Sequence, residues 1–237
     1  MQLTKRFVEI AVSFLRSFAA HLPEWLATFT VAGCAVLIPL TIEPRQRIAF
    51  FENFEQRYPY GGETLHIPVL GILIIVLPCI ALGMIALFSS KKFDLALATL
   101  GLAESLSLTL LFTEALKVTI SRPRPNFFDY CGYDKTEKKC KANAWRRHDA
   151  RVSFPSGHAA NSFASGVWMH LFIRSLLPQE ELWWVLISFI PLGCAAAISA
   201  TRIIDYMHHV SDVIAGVILV SCLGMIVSNA QKPRVLL

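Results

Sequence analysis

The chain has 237 residues, of which 54% are hydrophobic and 16% charged, and carries a net charge of +5. Soluble globular domains run about 45–50% apolar and about 25% charged, which argues against an ordinary soluble domain; disorder, collagen and coiled coil are excluded. The length allows one or at most two domains, and segment lengths decide whether the apolar excess is core or lipid-facing surface.

In chain order, Leu3, Phe7, Ile10, Ala11, Phe14, Leu15 and Phe18 fall on one helical stripe, with Lys5, Arg6, Glu9 and Arg16 elsewhere. This pattern predicts an amphipathic helix over 1–22 lying in a membrane interface; an extension of the first span fits it as well. The segment lacks the continuous apolar run of a signal peptide and is expected to stay in the mature protein.

Residues 25–42, 64–90, 152–173, 182–201 and 213–231 contain no Asp, Glu, Lys or Arg. Each is long enough to cross a hydrocarbon core as a helix, which takes about 17–25 residues. A sixth stretch, 95–120, is as apolar but carries Glu104, Glu114 and Lys117. In lipid every backbone amide must be satisfied within the segment, and no alternating strands of about ten residues are visible, so helices are the workable choice. The expected fold is all-α: an integral membrane bundle of six transmembrane helices over 23–231, preceded by the amphipathic helix and followed by a short tail, 232–237.

Six spans put both termini on one side and the loops 43–63, 121–151 and 202–209 on the other. Eight Lys and Arg fall on the terminal side and 14 on the other. Read literally, the positive-inside rule places the termini outside. Most of the 14 belong to one loop whose cations have a ligand-binding reading, so charge alone leaves orientation open.

Three polar clusters share that side. At the exit of the third span, Lys117, Arg122 and Arg124 stand among Pro123 and Pro125. The prolines stiffen the backbone, and guanidinium forks with an ammonium group describe an anion clamp. Cations snorkelling to lipid headgroups are the plainer alternative. Glu114, three residues before Lys117 on the same helical face, is placed to hold it by an ion pair.

Opening the fourth span is Phe-Pro-Ser-Gly-His, 154–158. Pro155 suits a first helical position, and the free backbone N–H groups beyond it make a ready phosphate site at the positive end of the helix dipole. Gly157 admits close approach, Ser156 adds a donor and His158 can carry a proton. Simple helix capping is the alternative.

Between the fifth and sixth spans lie Thr201, Arg202, Asp205, His208, His209 and Asp212. If the sixth helix begins near His208, Asp212 falls four residues along on the same face and can orient the imidazole as a nucleophile. A metal site is the rival reading, but four ligands at zinc-like spacing, HExxH and Asp-rich magnesium motifs are all missing from the sequence. Lys, Arg, Ser-Gly backbone, two His and an Asp on one membrane face point together to phosphoryl chemistry.

With these residues the sequence resembles the type 2 phosphatidic acid phosphatase superfamily, whose pattern is K-x6-R-P, P-S-G-H and S-R-x5-H-x3-D. Lys117, Arg124 and Pro125 match the first part; Pro155, Ser156, Gly157 and His158 the second; Arg202, His208 and Asp212 the third, with Thr201 where the family usually has Ser. The segments 121–128 and 205–216 look most like lipid phosphate phosphatases. The resemblance implies a metal- and cofactor-free phosphatase acting on phosphatidic acid and related membrane lipid phosphates, with a lumenal or extracellular site and cytosolic termini. It implies that His208 attacks phosphorus, oriented by Asp212, and that His158 protonates the leaving diacylglycerol oxygen. Lys117, Arg124, Ser156, Gly157 and Arg202 would hold the phosphate, with Glu114, Arg122, Thr201 and Asp205 in support. On a lumenal side, Cys131 and Cys140 are expected to pair as a disulfide. A polyprenyl-diphosphate phosphatase of the same superfamily and a non-catalytic lipid-phosphate binding or transport protein are the alternatives.

The charge has a location. Between Glu114 and Phe154 stand ten Lys or Arg against five Asp or Glu, so the whole net excess lies beside the expected phosphate site. That favours an anionic lipid headgroup over nucleic acid as partner.

Overall fold

A computed structural model describes residues 2–47, 49, 51, 53–89, 92–177 and 181–235. Lys91, the side chain of Cys222 and the side chains of the expected tail 232–237 lie outside what is described. The first helix, α1 (Gln2–Ala20), has no buried residue. It is followed after a one-residue break by α2 (Leu22–Thr41). The second hydrophobic stretch forms α3 (Ile67–Gly71), a π-helical turn over Ile72–Val76, and α4 (Leu77–Phe88), run together without interruption.

The sixth expected stretch is α5 (Leu95–Ile120), with the bounds read from sequence. Asp94 caps its start by accepting from the N–H groups of Ala96 and Leu97. It ends where Ser121 turns to φ 50°, a left-handed conformation uncommon for a residue with a Cβ. The Ser121 hydroxyl holds that turn, donating to the Val118 carbonyl and accepting from the N–H of Arg45.

The long loop then folds into α6 (Phe127–Tyr130), a two-stranded antiparallel ribbon of β1 (Tyr133–Asp134) and β2 (Lys139–Cys140), and α7 (Ala144–Asp149). A Cys131–Cys140 disulfide spans the ribbon, with Cα atoms 5.2 Å apart. The central helix is α8 (Gly157–Leu176), followed by α9 (Leu182–Ser188), α10 (Ile190–Ile204) and α11 (Val210–Val235).

Helix α8 packs against α5, α10 and α11, and α2 covers α5 from outside. Its buried face is built from Ala159, Ala160, Ser162, Ala164, Ser165 and Gly166, small residues that let neighbouring helices come close. A Cβ on Gly216 of α11 would stand 3.0 Å from the Ser156 carbonyl oxygen, so only glycine permits the approach of α11 to the start of α8. Leu82, Leu97, Leu100, Trp168 and Phe172 form the main apolar cluster, while Leu26, Phe29, Leu40, Ile80, Phe88, Ile190 and Ile218 face outward.

Among the described residues, five helical segments are long and apolar enough to cross a membrane: Leu22–Thr41, Ile67–Phe88, Leu95–Ile120, Leu182–Ile204 and Val210–Val227. The remaining expected span, α8, the fourth in chain order, has the length, at 20 residues. Its small and polar residues make it less apolar because other helices, rather than lipid, surround it. The protein is thus a helical integral membrane protein.

Candidate active site

A cavity of about 180 Å³ opens among the ends of α5, α8 and α10 and gathers Lys117, Arg124, Gly157, His158, Arg202 and His208. Residues more than 90 positions apart in sequence meet here. Ile67, Leu70 and Leu110 line one side with apolar surface. Ser156, Thr201, Asp205, Arg122 and Asp212 do not line it.

His208 is 4% exposed. Its Nδ1 lies 2.7 Å from the Ser153 carbonyl and its Nε2 lies 3.1 Å from an Arg124 guanidinium nitrogen. A carbonyl can only accept and a guanidinium can only donate, so these partners assign the Nδ1–H tautomer and leave the Nε2 lone pair facing Arg124 in the cavity. Burial, then the nearby charges of Arg124 and Lys117, push the His208 pKa well below its ordinary 6.5, keeping the ring neutral. The backbone carbonyl of Arg202 accepts from the N–H groups of Met207 and His208, which fixes the turn carrying the imidazole.

Asp212 was expected to bind the His208 ring directly, from a helix starting near His208. The helix starts at Val210, and the Asp212 carboxylate stands 3.9 Å from Nδ1. Its oxygens are taken by the Ser153 hydroxyl (2.6 Å), Arg122 (2.6 Å) and the N–H of His209 (3.0 Å). The last contact is the return half of a capping box, which draws the carboxylate back toward the helix start. Pro155 likewise falls outside the helix. Ser156 is the cap, its hydroxyl accepting from the N–H of Ala159, and Gly157 is the first helical residue.

Every cation of the expected clamp has a carboxylate partner. Lys117 meets Glu114 at 2.6 Å, as the spacing anticipated. Arg124 meets Asp149 at 2.6 Å and also donates to the carbonyls of Asp149 and Met207. Arg202, with no exposed surface, meets Glu63 at 2.8 Å and Asp205 at 2.7 Å, and its Nε donates to the Thr201 hydroxyl. His158 Nε2 lies 3.2 Å from the Leu65 carbonyl. His209 stays outside the cavity, with Nε2 3.3 Å from the Pro123 carbonyl.

Sequence reasoning missed Ser153, Asp149 and Glu63. The signal for Asp149 was present: it is the one acid among Arg146, Arg147 and Arg151. Burial drives its carboxyl pKa up, but the charges of Arg124 and Lys117 with the hydrogen bonds from Arg124 and Tyr130 together outweigh burial and hold it below the usual range. Among the described residues, no three His, Cys, Asp or Glu side chains converge to hold a metal ion.

The sequence profile of the PAP2 superfamily matches residues 98–235, which contain every cavity cation and both cavity histidines. The chain belongs to the PAP2 superfamily. Lipid phosphate phosphatase 2 of Arabidopsis thaliana is 28% identical over 212 residues, covering 84% of this chain and 73% of that protein. Lipid phosphate phosphatase 1 of the same plant is 29% identical over 216 residues, covering 86% of this chain and 66% of its own length. Diacylglycerol pyrophosphate phosphatase 1 of Saccharomyces cerevisiae is 28% identical over 212 residues, covering 81% and 72%. No solved structure matches the chain significantly. Membership in the PAP2 superfamily, with relatives so named, makes the chain a phosphatase.

Proposed function

We propose that this PAP2 protein hydrolyses the phosphomonoester of phosphatidic acid and related lipid phosphates, releasing diacylglycerol and phosphate through a phosphohistidine. The observation that carries the reading is His208 itself: neutral, buried, its Nε2 lone pair turned into a cavity that also holds Lys117, Arg124 and Arg202. Beside it the start of α8 offers backbone N–H groups to the same space.

In the first step Nε2 of His208 attacks phosphorus and the bond from phosphorus to the lipid oxygen breaks. His158, protonated when the phosphate dianion is bound, gives its proton to the departing diacylglycerol oxygen. In the second, His158 takes a proton from water, whose oxygen displaces His208 and releases phosphate. Lys117, Arg124, Arg202 and the Gly157 amide stabilise the equatorial oxygens, where one well-placed donor is worth about 3–4 kcal/mol. The carboxylates of Glu114, Asp149, Glu63 and Asp205 hold those cations in place before substrate arrives, so little reorganisation accompanies reaction. The apolar wall of Ile67, Leu70 and Leu110 suits a lipid tail emerging from the bilayer. The site face is read as lumenal or extracellular, with cytosolic termini.

The yeast relative's name favours one second substrate, diacylglycerol pyrophosphate, whose terminal phosphate presents the same group to His208. Purified protein is assayed for phosphate release from both lipids and from polyprenyl diphosphate, in EDTA, with labelling from radiolabelled phosphatidic acid quenched in alkaline detergent. Base-stable, acid-labile label on the wild type and none on His208→Gln is the expected result. Label retained by His208→Gln, or release that stops in EDTA, overturns the mechanism.

A further inference from the structure

A second cleft, of about 620 Å³, lies on the loop side of the protein and shares no lining residue with the cavity of His208. Arg47, Lys138, Lys139, Arg147 and Arg151 line it, against a single carboxylate, Glu43. Phe127, Phe128 and Tyr133 contribute apolar surface. Its size falls within the range of about 300–1,000 Å³ typical of small-ligand sites.

The contrast with the active-site cavity is in the pairing. There each cation is matched by a carboxylate within hydrogen-bond reach. Here, among the described residues, none of the five cations makes an ion pair. Arg151 is half-buried, its guanidinium 4.9 Å over the Phe127 ring and donating only to the Arg47 carbonyl at 3.0 Å. The Nε2 of His148, also in the lining, is buried without any hydrogen-bond partner. A half-buried guanidinium with one backbone acceptor and no counterion, beside a buried ring nitrogen with no partner, are groups an anion would satisfy.

The cleft also has a depth. Helix α2, long and apolar enough to span the membrane, ends at Thr41, and Glu43 and Pro44 already line the cleft. That places it at the level of the phospholipid headgroups.

We propose that this cleft is a second anion site, separate from the catalytic one, that binds a phosphate-bearing anion: the headgroup of an anionic phospholipid or a free phosphate. The test uses the purified full chain and the variant Lys138→Gln/Lys139→Gln/Arg147→Gln, whose three side chains are exposed and, among the described residues, form no ion pair. Native mass spectrometry measures retained phosphatidylglycerol against phosphatidylcholine, and calorimetry measures binding of inorganic phosphate. Lys117→Gln serves as the control for the catalytic cavity.

If the occupant is a lipid, the triple variant loses phosphatidylglycerol retention by roughly tenfold or more, while Lys117→Gln keeps it. If it is free phosphate, lipid retention is unchanged and a phosphate-binding event present in Lys117→Gln disappears in the triple variant. The proposal is overturned if the triple variant keeps both, or if Lys117→Gln abolishes both.

Discussion

His208 donates its Nδ1 proton to the Ser153 carbonyl at 2.7 Å, and the Asp212 carboxylate stands off at 3.9 Å. Ser153 in turn donates its hydroxyl to Asp212 at 2.6 Å. The carboxylate therefore positions the histidine through Ser153, and the Ser153 carbonyl at Nδ1, with Arg124 at Nε2, fixes the tautomer. Where a carboxylate holds the Nδ1 proton, its amide replacement costs about 10⁴ in kcat through the wrong tautomer. Asp212→Asn here is expected to cost less, on the order of 10- to 100-fold in kcat with KM little changed. His208→Gln is expected to abolish turnover. Steady-state kinetics on phosphatidic acid decide it: equal losses in the two variants would show that Asp212 does more than position.

Asp149 is the anchor for Arg124. Its carboxylate accepts from the guanidinium at 2.6 Å and from the Tyr130 hydroxyl at 3.1 Å. Arg124 is 5% exposed, so Asp149→Asn leaves a desolvated charge without its counterion. Breaking one side of such a pair costs about 3–5 kcal/mol. Apparent thermal stability in detergent should fall and KM for lipid phosphate should rise, since Arg124 is freed to wander. Tyr130→Phe removes one neutral donor and should cost about 1 kcal/mol. A Tyr130→Phe variant as unstable as Asp149→Asn would argue against the ion pair as the anchor.

The pH dependence of stability follows from His208. Its folded pKa lies well below 6.5 while the unfolded chain titrates near the ordinary value. Below about pH 6.5 the unfolded state binds the extra proton, so this histidine favours unfolding increasingly as pH falls toward its folded pKa. His209, held low by burial and by Arg122, acts in the same direction. Asp149 acts oppositely placed on the scale: its stabilisation is present above the usual carboxylate pKa and is lost only in more acid solution. Thermal melts from pH 7 to 5 should therefore show falling stability, and His208→Gln should remove a slope of about 1.4 kcal/mol per pH unit in that window. An unchanged slope in the variant contradicts the neutral, buried assignment.

The spans were legible because lipid allows few charges over about 20 residues, and α5 begins and ends where its composition does. The K-x6-R-P, P-S-G-H and R-x5-H residues were legible because side-chain identity carries their chemistry. Ser153 was not, because it acts through its carbonyl, which every residue possesses. Glu63 was hidden because its partner, Arg202, lies 139 positions away and only folding joins them. The start of α11 near His208 was legible, but the direct Asp212–His208 contact was not, because the bond from the His209 N–H draws the carboxylate into a cap.

Two glycines near the site separate activity from stability. A Cβ on Gly157 would come 3.1 Å from the Lys117 ammonium, the far end of a flexible side chain that can yield. Gly157→Ala should fold with near wild-type stability, yet it displaces Lys117 and fills space that the phosphate needs beside the start of α8. A loss of roughly 10- to 100-fold in kcat/KM is expected, since misplacement by about 1 Å can cost about 10²-fold. A Cβ on Gly216 would instead meet backbone, the Ser156 carbonyl oxygen at 3.0 Å and the Ala160 nitrogen at 3.3 Å. Neither can move without shifting α8, so Gly216→Ala should destabilise by about 1–3 kcal/mol. Apparent melting temperature and kcat/KM measured on both variants test the pair. Gly157→Ala with full activity would mean that the α8 start does not approach the phosphate, and Gly216→Ala with full stability would mean that α11 is not wedged against it.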